Sequence, residues 1–301
     1  FYCYIIYFLF LLIGRSIYQL CAQDGYCEQV TLAWDPNTEP EPAGYNLFIG
    51  TSSRDYSQVI DVGNNIKYTV DNLSEGITYY FAVTAYDIEG YESDYSDEVS
   101  TTFLKVISPN GAEVIPSGSI YQIYWIAPPE VVNFKLKYSL DNGLTWIQKP
   151  DNITGTGYSW RVPRPFWNKR SCLLNVAGYD ESGTKIGEDI SDTPFIIEVV
   201  KLTSPNGGNT LTSGNQYTIR WTTNATRYAV AKVKLYYTNN GTTWYSIKTI
   251  TGSNPGSFNW KVPTVITTKT KCKVKVQLFD ASGKSVGRDI SDNWFTIQSV
   301  P

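Results

Sequence analysis

Lys269, Lys271, Lys273 and Lys275 alternate with Thr270, Cys272, Val274 and Val276. On an extended segment, where side chains point to opposite sides by turns, this spacing places four ammonium groups on one face. Lys232 and Lys234 alternate with Val233 and Leu235 in the same way. If both segments lie in one sheet, they make a continuous basic surface suited to anionic glycans, wall polymers or the acidic domain of a neighbouring molecule, with nucleic acid disfavoured. A plainer reading needs no ligand: a solvated face whose lysines deter edge-to-edge aggregation.

Other residue groups offer less chemistry. Asp189 with Asp192, and Asp289 with Asp292, have the spacing of a paired-carboxylate or calcium site. Two copies of one active site in a short chain would be unusual, and Asp and Ser ahead of a final strand commonly fold onto backbone N–H groups. The acidic stretch from Asp87 to Asp94 reads as solvated. The chain has no histidine, which removes the usual general base, the usual zinc ligand and the usual partner of a nucleophilic serine or cysteine. No catalytic residue, metal or cofactor is expected. Cys27, Cys172 and Cys272 are left once Cys3 and Cys21 are assigned to a leader, an odd number that makes no disulfide framework, so buried thiols are expected at Cys172 and Cys272.

Tryptophans at Trp34, Trp125, Trp146, Trp160, Trp221, Trp244 and Trp260 fall in strand or hairpin positions and are expected in cores. Trp167, in the turn-like Pro163–Asn168 segment, and Trp294, which replaces Pro194 of the other copy, are the candidate sugar-stacking rings. Ser139-Leu140-Asp141-Asn142-Gly143-Leu144-Thr145-Trp146 resembles the Asp-box of sialidases and other propeller proteins. In those families the box is a structural hairpin away from the active site. The resemblance therefore implies turn-forming roles for Asp141 and Gly143 and a packing role for Trp146. The counterpart beginning at Thr238 is degenerate, and the two lie too far apart to be successive blades.

These residues are carried by alternating segments. Val30, Leu32, Trp34, then Tyr45, Leu47, Ile49, then Tyr79, Phe81, Val83, Ala85 read as half-buried strands, separated by Asp35-Pro36-Asn37, Gly63-Asn64-Asn65 and Glu89-Gly90 turns. Trp34, Gly44-Tyr45, and Leu73 followed by Tyr79 together resemble a fibronectin type III domain over about residues 25–104. That resemblance implies a tyrosine corner at Tyr79, its hydroxyl tied back to the backbone.

An internal duplication follows. Ser108-Pro109-Asn110-Gly111 reappears at 204–207, Tyr121-Gln122-Ile123-Tyr124-Trp125 as Tyr217-Thr218-Ile219-Arg220-Trp221, Trp160-Arg161-Val162-Pro163 at 260–263, and Gly187-Glu188-Asp189-Ile190-Ser191-Asp192 as Gly287-Arg288-Asp289-Ile290-Ser291-Asp292. A repeat of this length is a whole domain, longer than a propeller blade or solenoid unit. The motif order resembles the Ig-like domains of Ser/Thr-rich GPI-anchored fungal cell-wall proteins and their bacterial relatives, which implies a non-catalytic extracellular setting. The expected fold is all-β: three consecutive Ig-like or fibronectin III-like β-sandwiches (23–104, 105–199, 200–301) in an extended array, joined by short linkers.

Residues 1–13 form an uninterrupted apolar run, and Leu20-Cys21-Ala22 could end a signal peptide. With no initiating Met and no basic leader, residues 1–22 read as a partial export signal, with an uncleaved anchor or a lipid-anchored Cys21 as alternatives. No membrane span is expected in the mature chain. Lys and Arg number 2 against 15 acids in residues 23–104, 9 against 10 in 105–200 and 13 against 3 in 201–301, so a near-neutral total hides a strongly polar molecule. The sequence thus suggests an exported, non-catalytic binding or adhesion protein that contacts acidic polysaccharide or a protein partner. Head-to-tail self-association through the opposite charges is a further candidate. The alternative is the accessory region of a larger secreted hydrolase.

Overall fold

Alternating apolar residues bounded by Gly, Asn and Asp turns yield strands throughout, and the computed structural model describes residues 28–36, 42–149 and 152–300. The expected leader and Cys27 lie outside the described residues. Among the described residues no helix is long and apolar enough to cross a membrane.

The first sandwich has β1 (Glu28–Ala33), β2 (Gly44–Gly50), β3 (Gln58–Gly63), β4 (Lys67–Leu73), β5 (Thr78–Tyr86) and β6 (Val99–Thr102). β1 pairs with β4, facing a sheet of order β3-β2-β5-β6. Trp34, Tyr45, Leu47, Val70, Phe81 and Val83 meet in the core between them. The Tyr79 hydroxyl accepts the Ser74 N–H at 3.0 Å, holding the β4–β5 connection against the sheet.

The second sandwich has β7 (Lys105–Ser108), β8 (Val114–Pro116), β9 (Ile120–Ile126), β10 (Asn133–Ser139), β11 (Ile147–Gln148), β12 (Gly157–Arg161), β13 (Lys169–Tyr179), β14 (Lys185–Ile190) and β15 (Phe195–Glu198). The third repeats it as β16 (Val200–Ser204), β17 (Thr210–Thr212), β18 (Gln216–Thr223), β19 (Lys232–Thr238), β20 (Tyr245–Thr251), β21 (Ser257–Lys261), β22 (Lys269–Phe279), β23 (Ser285–Ile290) and β24 (Phe295–Gln298). Each copy sets a three-stranded sheet (β12-β9-β7; β16-β18-β21) against a six-stranded one (β11-β10-β13-β15-β8 with β14 on β13; β17-β24-β22-β19-β20 with β23 on β22). Trp125, Phe134, Trp160, Cys172 and Phe195 fill one core, and Trp221, Val233, Trp260, Cys272 and Phe295 the other.

The motifs that open and close each copy are two halves of one clasp. Asn110 Nδ2 donates to Asp192 Oδ2 and Asn110 Oδ1 accepts the Asp192 N–H, both at 2.7 Å. Asn206 and Asp292 repeat the pair at 2.7 and 2.8 Å. Ser191 Oγ donates to the Pro109 carbonyl and Ser291 Oγ to that of Pro205. Gly111 sits at φ 133° and Gly207 at φ 129° in these turns, a backbone region that L side chains avoid. A Cβ on Gly111 would also strike Thr193.

The second and third sandwiches are joined by hydrogen bonds rather than by a free linker. Asn168 Oδ1 accepts the N–H groups of Val199 and Val200 at 2.8 and 3.1 Å, and its Nδ2 donates to the Val200 carbonyl. Asn224 donates its backbone N–H to Val199 and its Nδ2 to Glu198. Phe166 packs against the third core with Arg227 and Lys284 over its ring.

Candidate functional site

The basic residues of the third sandwich are set by the β19–β22 ladder. Val233, Leu235, Val274, Val276 and Leu278 are buried, so their alternating neighbours point away from the core. Lys275 stands opposite Tyr236, Gln277 opposite Lys234, and Phe279 opposite Lys232. On the other side of β22, Arg288 of β23 stands opposite Gln277. Directly paired residues project to the same side of a sheet, so Lys232, Lys234, Lys275 and Arg288 share one face, and Lys273 continues it along β22.

Four ammonium groups on this face lie against aromatic rings. Lys275 Nζ is 4.3 Å from the ring centre of Trp244 and 4.6 Å from that of Tyr236. Lys273 Nζ is 4.8 Å from the centre of Trp294 and donates to the Asp292 carbonyl. Lys232 and Lys234 both lie 5.3 Å from the centre of Phe279. These are cation–π distances, and they hold long, flexible side chains in place before any ligand arrives. Burial first, and then the nearby Arg288, push the Lys275 amine below the usual lysine range. The carboxylates of this sandwich do not neutralise the face. Asp280 and Asp289 are buried, Asp292 accepts from Asn206, and among the described residues none is ion-paired to these lysines.

Two expectations need correction. Lys269 does not share the face. An additional residue is accommodated in β22 between Lys269 and Cys272, so Lys269 stands opposite the core residue Ile297. Such a bulge reverses the alternation, and the Lys269 ammonium donates to Thr267 Oγ1 instead. Lys271 keeps the phase of Lys273 but contacts no ring among the described residues, and its backbone bridges Asn240 in the β19–β20 turn. Trp146 and Trp244 are not core residues. Each follows a tight hairpin and folds onto the outer face, beneath Lys137 in one copy and Lys275 in the other.

Trp167 and Trp294 are half-exposed, at 50% and 45%, but lie in different sandwiches and do not form one platform. One side of Trp294 is covered by Lys273 and its edge by Gly241. Trp167 has Lys169 at 5.7 Å and Phe166 at 6.3 Å, beside the junction with the third sandwich.

The Asp-box residues make a closed hairpin. Asp141 accepts from Ser139 Oγ, the Thr145 N–H and Thr145 Oγ1, and Ser139 Oγ accepts the Gly143 N–H. The Thr145 and Ser139 bonds hold the Asp141 carboxyl below the usual range. Gly143 sits at φ 84°, which a Gly accepts without cost, and Asn142 at φ 58°, a left-handed position that Asn tolerates better than most residues.

Asp189 and Asp289 are buried structural acceptors. Asp189 takes the N–H groups of Val106 and Ile190, and Asp289 that of Leu202 with Arg170 at 3.4 Å. Burial pushes both carboxyls above the usual range, partly offset by these N–H donors. Glu75, a residue sequence reading did not single out, comes within 4.8 Å of the Asp189 and Asp192 carboxylates, and Lys105 stands 4.0 Å from Asp192.

Tyr236, Trp244, Phe279 and Arg288 are members of the basic face that sequence reading missed. Arg288 carried a signal in the duplication: it replaces Glu188, reversing charge at the same place in the fold.

No family model matches the chain. A Kelch domain-containing protein of Saccharolobus solfataricus is 29% identical over 258 residues, covering 78% of this chain. The chain spans only 30% of the length of that relative. Fibronectin(III)-like modules of Clostridium thermocellum CbhA superpose with a TM-score of 0.26 at 16% identity, covering 65% of this chain and 95% of theirs. The FN1–FN3 domains of chicken CNTN1 give 0.25 at 12% identity, covering 89% and 95%. Neither likeness bears on function.

Proposed function

We propose that the chain is a non-catalytic binding module of an exported protein, and that the outer face of the third sandwich holds an anionic polymer, with carboxylated or sulfated polysaccharide as the ligand class. One observation carries this reading: Lys232, Lys234, Lys273, Lys275 and Arg288 converge on one sheet face, four of them seated over aromatic rings and none ion-paired among the described residues. The rings are occupied by cations, so the face suits charged groups better than stacked neutral sugars. Residues two apart on β22 lie roughly 7 Å apart and adjacent strands about 5 Å apart, a spacing on which successive charges of a polymer can each meet a cation. The wall-protein resemblance of the duplicated domains fits the same setting.

The test is titration of the full chain with polygalacturonate and dextran sulfate, with neutral dextran as control, from about 50 mM to about 500 mM NaCl. Both charged polymers are expected to bind with an affinity that falls as salt rises, and the double variant Lys273→Glu/Lys275→Glu should weaken binding about tenfold or more. Salt-independent binding, or full affinity in that variant, would overturn the reading.

A further inference from the structure

The first sandwich carries a face that mirrors the basic one in chemistry and opposes it in sign. It lies on the outside of the β3-β2-β5-β6 sheet. Phe48 projects there between core-facing Leu47 and Ile49, Tyr95 stands perpendicular to it at 4.8 Å, and Tyr56 lies 5.9 Å from Phe48 and 5.3 Å from Tyr95.

Three carboxylates frame this aromatic cluster, each held by neutral donors. Glu92 accepts from Asn46 and Thr84. Glu98 accepts from Ser53 Oγ, the Arg54 N–H and the Tyr56 hydroxyl. Asp61 accepts from the Tyr86 hydroxyl. Asp94 and Asp97 are exposed on either side of Tyr95. Among the described residues none of these five forms an ion pair, and the first sandwich holds only Arg54 and Lys67 as cations.

We infer that this acidic aromatic face docks on the basic aromatic face of a second copy of the chain. On one side carboxylates are fixed by hydroxyl and amide donors, and on the other ammonium groups are fixed over rings, so both arrive ordered and little side-chain freedom is lost on contact. Each surface is presented by a sheet, so cations and anions can meet at strand spacing while the rings supply apolar area. The two surfaces differ, so the contact is head-to-tail: every added copy leaves one free face of each sign, which gives open chains or rings rather than closed pairs. The inference shares the third-sandwich face with the reading above but depends equally on the first sandwich, which polymer binding does not use. A polyanion and a neighbouring copy would compete for the same lysines.

Sedimentation velocity and light scattering of the full chain, between about 25 mM and about 500 mM NaCl, test this. At low salt the mass should grow with protein concentration, and high salt or excess dextran sulfate should return it to that of a single chain. Asp94→Lys/Asp97→Lys, whose side chains make no contact that the fold needs, should remain a single chain at low salt yet bind dextran sulfate with unchanged affinity. Lys273→Glu/Lys275→Glu should lose both. Mixed together, the two variants should associate with each other although neither associates alone, since each retains one native face. A wild-type chain that stays single at all salts, or an Asp94→Lys/Asp97→Lys variant that assembles like wild type, would overturn the inference without touching the polymer-binding reading.

Discussion

The ammonium of Lys275 is lodged between two rings, 4.3 Å from the centre of Trp244 and 4.6 Å from that of Tyr236, with Arg288 near enough to weaken its hold on a proton. Since burial and Arg288 both lower its pKa, Lys275 should lose its charge at a lower pH than an ordinary lysine. Polyanion affinity is then expected to begin falling at a lower pH than an ordinary lysine would dictate. Arg288→Gln should weaken binding at neutral pH but move that decline to higher pH. Selective lysine labelling followed by NMR titration reads both effects, and an unshifted Lys275 in the Arg288→Gln protein would contradict them.

The duplication supplies an internal control. Glu188, Leu173 and Asn175 occupy in the second sandwich the places of Arg288, Lys273 and Lys275. Replacing them with Arg, Lys and Lys should confer a second polymer site and roughly double the stoichiometry, because Lys135 and Lys137 already lie against Tyr179 and Trp146 there. Unchanged stoichiometry would mean that the face needs more than matched charges.

Asn168→Ala removes the acceptor for two backbone N–H groups at the junction of the second and third sandwiches. A buried group left unpaired costs about 1–3 kcal/mol. Calorimetry is expected to show the two sandwiches melting together in the wild type and separately in the variant. An unaltered melting profile would show that Phe166 and Asn224 suffice.

Burial pushes the Cys172 thiol up to about 12 and raises that of Cys272 as well. Thiolate is the reactive form, so neither should be labelled by maleimide in the native protein near neutral pH, and both should be labelled on unfolding. Peptide mapping distinguishes them from the remaining cysteines. Rapid native labelling at either position would contradict the packing.

Burial alone would raise the carboxyl of Glu98, but the donors Ser53, Arg54 N–H and Tyr56 outweigh it and hold it below the usual range. A carboxyl depressed in the folded state stabilises above its unfolded pKa, and that contribution is lost as pH falls through the folded value. Asp189 and Asp289 have the opposite sign: raised by burial, they favour folding in acid and lose that contribution as pH rises through their folded values. Glu98→Gln should therefore flatten the acid side of the first sandwich's stability profile. It should also return Tyr56, pushed up to about 12 by burial and then by Glu98, toward 10. A Tyr56 titration unmoved by the substitution would show that burial alone sets it.

Much of the fold is legible in the sequence because period-two alternation and turn residues are local signals: Val274, Val276 and Leu278 face inward as their spacing requires. The Asp141 hairpin is local in the same way. What was not legible depends on contacts between distant segments. The clasp between Asn110 and Asp192 joins residues 82 apart, and nothing near Asp192 announces Asn110. The bulge that turns Lys269 away is set by pairing with β24, not by the lysine row itself. Trp244 carries the same residue type as the buried Trp221, and only the hairpin ahead of it directs its ring outward.

Between β15 and β16 the chain spends a single residue, Val199, bracketed by the side chain of Asn168 and the backbone N–H of Asn224. One residue yields about 3.5 Å when fully drawn out, so a pull on this joint meets almost no slack before it loads the sheets on both sides. If one end of the molecule is anchored and the other is dragged by flow or by a moving neighbour, this portion behaves as a stiff strut that passes tension along, not as a spring that absorbs it.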